Sequence, residues 1–149
     1  MNAFSPWTRT NACQLVLVAR FTLLAVTIPA LGAGMNAFTP RLLPHHRLVA
    51  YRVSLELLTV VREAAIRDPK LRDQALRAAK SVCLNVAEAA GRRSPADKAR
   101  VFAIARGEVL EVAAAIEIAV LAGDADVSAL DAAGPLSDRL YALLTGLVR

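Results

Sequence analysis

The chain has 149 residues, 56% of them hydrophobic but only 5% aromatic, with a formal net charge of +5. That length bounds it to one domain with a modest core, and the surplus of Ala, Leu and Val favours closely packed helices over sheets. Its two cysteines, Cys13 and Cys83, exclude a disulfide framework and a zinc-finger spacing, which suits a reducing, cytoplasmic compartment.

The chain opens Met1-Asn-Ala-Phe-Ser-Pro6 and then repeats itself as Met35-Asn-Ala-Phe-Thr-Pro40. Between the copies, residues 15–34 read LVLVARFTLLAVTIPALGAG. Arg20 interrupts this run and Pro29 breaks its end, so the clean apolar core is Phe21 to Ile28, too short to cross a bilayer. It has the size of a signal-peptide core, with Arg9 and Arg20 before it and Ala30, Gly32 and Ala33 as cleavage positions. Three readings stand. Residues 1–34 are an apolar leader added by an upstream start, with Met35 as the true initiator, and this is the expectation adopted. Otherwise they export or anchor the protein, or form a lone helix outside the bundle. Residues 35–45, with Pro40 and Pro44, are expected to form an extended linker.

From residue 46 to 149 every long segment has a period near 3.6. The first helix is expected over about His46 to Ile66, with Leu48, Tyr51, Leu55, Leu58 and Val61/Ala65 inward and Asp68-Pro69 ending it. The second runs from about Leu71 to Ala90. Leu71, Ala75, Ala78, Val82 and Val86 form its inner stripe, and Gly91 serves as a left-handed stop. The third starts at Ser94-Pro95, a capping residue followed by a first-turn proline, with Asp97 completing a capping-box-like pattern. Its seam is Phe102, Ala105, Val109, Val112, Ile116 and Ala119, and Gly123 ends it. The fourth spans about Val127 to Val148 and is expected to kink or break at Gly134-Pro135, with Leu136, Leu140, Leu143/Leu144 and Leu147 inward after the break. No segment alternates as a strand does. The prediction is an all-α, antiparallel, up-down-up-down four-helix bundle.

Catalytic chemistry finds no foothold. The only histidines, His45 and His46, are adjacent, read as exposed linker residues, and no Glu-x-x-His offers the di-metal pattern of some bundles. Cys83 has no histidine near it in sequence, and no glycine-rich phosphate loop exists. The expectation is a non-enzyme without cofactor, metal or small-molecule substrate.

Charge is more informative. From Arg67 to Arg106 there are ten bases against four acids, a net of +6, whereas Glu108 to Asp138 carries seven acids and no base. This asymmetry suits an anionic partner, self-association of unlike halves, or simply two solvated faces. Arg67, Lys70, Arg72, Arg77, Lys80, Arg92, Arg93, Lys98 and Arg100 are the candidate nucleic-acid contacts, since phosphate binding needs clustered bases and no special spacing. Without interleaved aromatics, base-specific reading of single strands is not expected. A polar set accompanies them: Asn85 and Glu88 in the second helix, Glu108 and Glu111 in the third, each pair sharing a helix face. An antiparallel turn at Gly91–Ser94 brings Arg77 level with Glu108 or Glu111, and Lys98 or Arg100 level with Glu88.

The run from Arg77 to Ser94 resembles the signature of the four-helix-bundle family of 23S rRNA intervening-sequence proteins. Asn85-Val-Ala-Glu88 and Gly91-Arg-Arg-Ser94 match its Asn-Ile-Ala-Glu-Gly and Gly-Arg-x-Ser hallmarks. Phe102, Ala105, Gly107 and Glu111 match a later one, and the closing residues to Arg149 resemble its last helix. Ala89, Glu108 and Gly134-Pro135 depart from the pattern. Asn85, Glu88, Gly91, Arg92, Ser94, Gly107, Glu108 and Glu111 are thus the family-motif and polar-network positions. The resemblance implies a ring-forming homo-oligomer, typically a homopentamer, with RNA or DNA association. By similarity to the accessory variability determinant of diversity-generating retroelements, it also implies a protein partner such as a reverse transcriptase. A protein-binding scaffold without a nucleic-acid role is the alternative.

Overall fold

A computed structural model describes residues 43–149. The expectations for residues 1–34, for the start of the protein and for most of the 35–45 linker lie outside the described residues.

Among those described residues there are four α-helices and no strand: α1 (Val49–Glu63), α2 (Pro69–Gly91), α3 (Pro95–Leu121) and α4 (Val127–Val148). A 3-10 turn, Pro44–Arg47, precedes α1. Pro44 therefore does not continue an extended linker: its fixed φ opens a helical turn instead. His45 is half-buried rather than exposed, with its ring edge-on to Tyr51 at 4.6 Å.

α1 ends at Glu63, three residues short of the expected Ile66, with Ala64 as its cap, and Ala65 takes a left-handed φ of 49°. This turn carries Ile66 into the core, where it is 2% exposed. Asp68-Pro69 consequently begins α2 instead of ending α1. Asp68 accepts a hydrogen bond from the Leu71 N–H at 2.7 Å, and Pro69 fills the first helical position, where its missing N–H costs nothing. Gly91 is the last residue of α2 and is not left-handed; the chain turns instead through Arg92 at φ −67°, ψ 145°. At α3 the expected signals are present. The Ser94 hydroxyl accepts from the Asp97 N–H at 3.4 Å, Pro95 opens the helix, and Gly123 ends the turn beyond it at φ 75°. No break interrupts α4, which continues as one helix through Gly134 and Pro135. Proline removes one backbone donor there, on an exposed face.

Neighbouring helices run antiparallel. Gln74, near the start of α2, reaches Glu111 far along α3, while Arg92, just past the end of α2, reaches Asp97 in the first turn of α3. Pro44 and Leu48 share a groove with Leu147 and Arg149, and the end of α1 shares another with the first turn of α4. The Cys83 thiol donates to the Ser54 carbonyl at 3.3 Å across α1 and α2, and Arg106 stacks on Tyr141 across α3 and α4.

The core is built from Ala and Val with a few larger side chains, among them Leu57, Phe102, Ile116, Leu140 and Leu144. Small residues let the helices approach closely. The α3 seam is buried as expected, and the α2 stripe is too apart from half-buried Leu71. The inner face of α1 differs: Ala50, Val53, Ser54, Leu57 and Val61 are buried, whereas Leu55 is exposed and Tyr51 and Leu58 are half-buried. The helix is turned so that Leu57, with Ala50, Val53, Ser54 and Val61, faces the core in place of Leu55 and Leu58. On α4, Leu140 and Leu144 are buried, and Leu147 is exposed.

Candidate nucleic-acid interface

The candidate bases fall into two groups. Lys70, Arg77 and Lys80 lie three and seven residues apart on the outer face of α2, and all are exposed. Neither Lys70 nor Lys80 has a carboxylate within 4.0 Å among the described residues, whereas Arg77 approaches Glu111 at 3.8 Å. Arg72 sits apart from this row, 3.9 Å from Asp73. Arg67 is exposed, but its backbone N–H bonds the Asp124 carbonyl at 2.9 Å and it lines a groove with Asp124 and Asp126. An acidic setting there opposes phosphate binding.

The second group surrounds the α2–α3 turn. Arg92 bonds Glu88 one helical turn back and also Asp97 at 3.1 Å, while Asp97 holds Arg100 at 3.0 Å. The bond to Glu88, together with Asp97, raises the Arg92 guanidinium further above its ordinary value. Arg93 is exposed and, among the described residues, unpaired. Half-buried Lys98 lines a groove with Phe102 and Leu147. At 1.5 Å per residue, the twelve positions from Lys80 to Arg92 separate the two groups by about 18 Å along α2.

The family-motif residues shape this framework. Asn85 is half-buried and donates to the Ser81 carbonyl at 2.9 Å and hydroxyl at 3.1 Å, within its own helix. Glu111 joins the middle helices through Gln74, at 3.3 Å, and Arg77. Glu88 does not meet Lys98 or Arg100. Arg92, four residues along the same helix, is the nearer partner, and Asp97 takes Arg100 instead. The sequence pattern Glu88-x-x-Gly91-Arg92-x-Ser94 therefore works as a clasp: Ser94 caps α3 while Arg92 ties the end of α2 to its first turn. Glu108 is half-buried without an ion pair among the described residues, and Gly107 faces outward. What sequence reasoning missed is the Arg92–Asp97 link. Asp97 three residues after Ser94 signals a capping box, yet its carboxylate serves two arginines.

Among the described residues, no group of three or more His, Cys, Asp or Glu side chains is placed to hold a metal. Nor is any helix long and apolar enough to cross a membrane.

Fold and site together define a small all-α bundle whose second and third helices are joined by an arginine-clasped turn. Residues 48–146 match the family described as 23S rRNA-intervening sequence protein, and the chain belongs to that family. A search of curated proteins finds no match.

Proposed function

We propose that the protein is a non-enzymatic assembly module: a homo-oligomer, ring-shaped as the family resemblance implies, that associates with RNA through the outer face of α2 and the α2–α3 turn. The observation that carries the RNA half is the row Lys70, Arg77 and Lys80 on one exposed helix face, with both lysines free of carboxylate partners among the described residues. Arg93 extends the basic surface at the turn. Free surface lysines release counterions when they meet phosphates, and that term is independent of sequence. The described residues offer no aromatic on this face for stacking bases, so the surface suits backbone contact rather than base reading.

The test is binding of a structured RNA across a salt series, with wild type against K70E/K80E. The expected result is a logarithmic dependence on salt with a slope of about −0.7 to −0.9 per neutralised phosphate, and a shallower slope in the variant. A flat salt response, or no binding at low salt, removes the RNA half.

A further inference from the structure

α1 and α3 each carry a second apolar stripe. The inner seam of α3 packs into the core, yet Ala103, Gly107, Leu110, Ala114, Ile118 and Leu121 follow at three- and four-residue steps on its outer side. Of these, Leu110 is 54% exposed and Ile118 52%. On α1, Leu48, Tyr51, Leu55 and Leu58 recur at the same steps. They stay half-buried or, for Leu55, 42% exposed, because Ala50, Val53, Leu57 and Val61 take the core. Neither stripe contains a charge. A helix that packs on one side only carries polar residues on the other, as α2 does with Lys70, Asp73, Arg77 and Lys80. From 103 to 121 the α3 stripe is about 27 Å long and, at a helix width of about 10 Å, presents on the order of 300 Å². Patches of that size are the largest on soluble monomers and are often functional.

Leu55 and Gly107 lie at one height. Glu111 meets Gln74 and Asp97 meets Arg92, so Cys83, midway between the two α2 residues, is level with Ile104, midway between the two on α3. The Cys83 thiol bonds the Ser54 carbonyl, and α1 runs parallel to α3 because both oppose α2. Leu55 is thus level with the α3 turn 104–107. In a helix interior glycine costs about 1 kcal/mol relative to alanine, and a Cβ built at Gly107 meets nothing within 4 Å. The subunit itself has no steric need for this glycine, whereas a side chain arriving from outside would.

We propose that the α1 stripe of each copy packs, parallel, on the α3 stripe of the next, about a cyclic axis that runs along the bundle. Such an axis keeps heights equal, so Leu55 enters the hole framed by Ala103, Gly107 and Leu110 of the second copy. Ile118 comes level with exposed Ala65, just past the end of α1. The contact joins unlike faces, so it passes from copy to copy and closes at the number its angle sets, odd or even. That angle follows from the helices. At about 100° per residue, Leu55 lies about 35° from the outward midline of α1 and Gly107 about 30° from that of α3. Both lean toward α2, whose side is marked by Ser54 on α1 and by Glu111 on α3. α1 and α3 stand at opposite corners of the bundle. The two contacts of one subunit therefore subtend about 115° on its α2 side, near the interior angle of a ring of about five or six copies. The outer face of α2 turns to the axis of that ring, and the rows of Lys70, Arg77 and Lys80 converge on its inner wall.

This inference rests on the self-association half of the reading above and supplies the faces that meet; it does not depend on the RNA half.

Light scattering and cysteine labelling of the full chain test it. The wild type is expected as an oligomer of one mass. Gly107→Leu fills the hole and Leu55→Glu buries an unpaired charge; each should yield monomer, weakening association by more than about tenfold. Both should keep the helical circular dichroism and cooperative melting of the wild type, since both positions are exposed. Ala142→Glu, on the exposed side of α4 away from both stripes, should leave the mass unchanged. Because the faces are unlike, mixing the two monomeric variants leaves one sound contact, α1 of the Gly107→Leu chain on α3 of the Leu55→Glu chain. Well above the concentration at which the wild type assembles, the mixture should form a dimer that neither variant forms alone. In a Cys13→Ser background, Leu84→Cys on the α2 face should react with a bulky maleimide more slowly in the oligomer than in the Gly107→Leu monomer. A wild-type monomer overturns the contact together with the assembly reading. An oligomer unmoved by Gly107→Leu and Leu55→Glu, or a mixture that stays monomeric, overturns the contact alone. Equal labelling in oligomer and monomer overturns the inward placement of α2. An oligomer that passes these tests without binding RNA removes only the RNA half of the reading above.

Discussion

Ser137 and Asp126 show how single polar groups on α4 divide between cost and gain. Ser137 is 5% exposed and its hydroxyl has no hydrogen-bond partner among the described residues. A buried, unsatisfied hydroxyl forfeits its hydration without recompense, and alanine is also the better helix former. Ser137→Ala is therefore expected to raise stability by about 1 kcal/mol, seen as a higher urea midpoint at unchanged slope. Asp126 acts in the opposite sense. It caps α4, accepting from the Ser128 N–H at 2.9 Å, and hydrogen bonds from the Ser128 side chain and backbone hold its carboxyl below the ordinary 3.8. A depressed carboxyl contributes stability that is whole above 3.8 and is lost as pH falls through the lower folded value. Melting temperatures of wild type and Asp126→Ala should thus differ most near neutrality and converge in strong acid. A gap that stays constant on acidification would show that the charge plays no part. Cys83 illustrates a third case: burial pushes its thiol up, against the lowering effect of a bond with Ser54, which marks it as packing rather than a nucleophile.

At the scale of the element, α4 carries a local conflict that its packing overrides. Pro135 lies inside a helix that continues on both sides of it, so one backbone hydrogen bond is missing on the exposed face. Leu140 and Leu144 beyond it and Ala129 and Ala133 before it are all buried, and their burial favours a single continuous helix over two short ones. Pro135→Ala should add about 1–3 kcal/mol by restoring the bond and removing the ring clash, read as a raised thermal midpoint; a lowered one would mean the proline is structurally required. This is also where local sequence signals mislead. Gly134-Pro135 reads as a break because the penalty is local, while the compensating burial is set by other helices. Asp68-Pro69 reads as a stop because both residues are helix-disfavouring inside a helix, yet the same pair is a cap and a first turn. Where signals agree the structure is legible, as at α3, whose Ser94-Pro95 start, seam and Gly123 end all point the same way. The inner face of α1 was obscured because Leu55, Leu57 and Leu58 lie within one turn, so the period alone does not say which of them points inward; packing selects Leu57 together with Ala50, Val53, Ser54 and Val61. For the candidate site, the Arg77–Glu111 pair follows from antiparallel geometry alone. Its partition into free and clasped bases does not, because it depends on side chains competing at a turn.

For the whole molecule, the net charge says less than which bases remain available. Of the nine candidate contacts, Arg72, Arg77, Arg92 and Arg100 have carboxylates within 4.0 Å, and Arg67 faces the acidic α3–α4 turn. Lys70, Lys80 and Arg93 remain exposed and unpaired among the described residues, at places about 15 Å or more apart by helical rise. Adjacent arginines at the α2–α3 turn should therefore separate function from stability. Arg92 ties Glu88 to Asp97, so Arg92→Ala should lower the melting temperature by releasing the first turn of α3 from the end of α2. Arg93 makes no side-chain hydrogen bond or ion pair among the described residues, so Arg93→Ala should leave melting unchanged. If the turn meets RNA phosphates as proposed, Arg93→Ala should also reduce the salt dependence of binding by about 0.7 to 0.9 of a slope unit, one phosphate contact. Each variant is scored by thermal melting and by RNA titration at several salt concentrations. Equal loss of affinity from both, with melting intact in both, would mean that Arg92 serves the ligand and not the clasp. Loss of melting without any change in salt slope, in both, would make the turn purely structural and move the RNA surface onto Lys70 and Lys80.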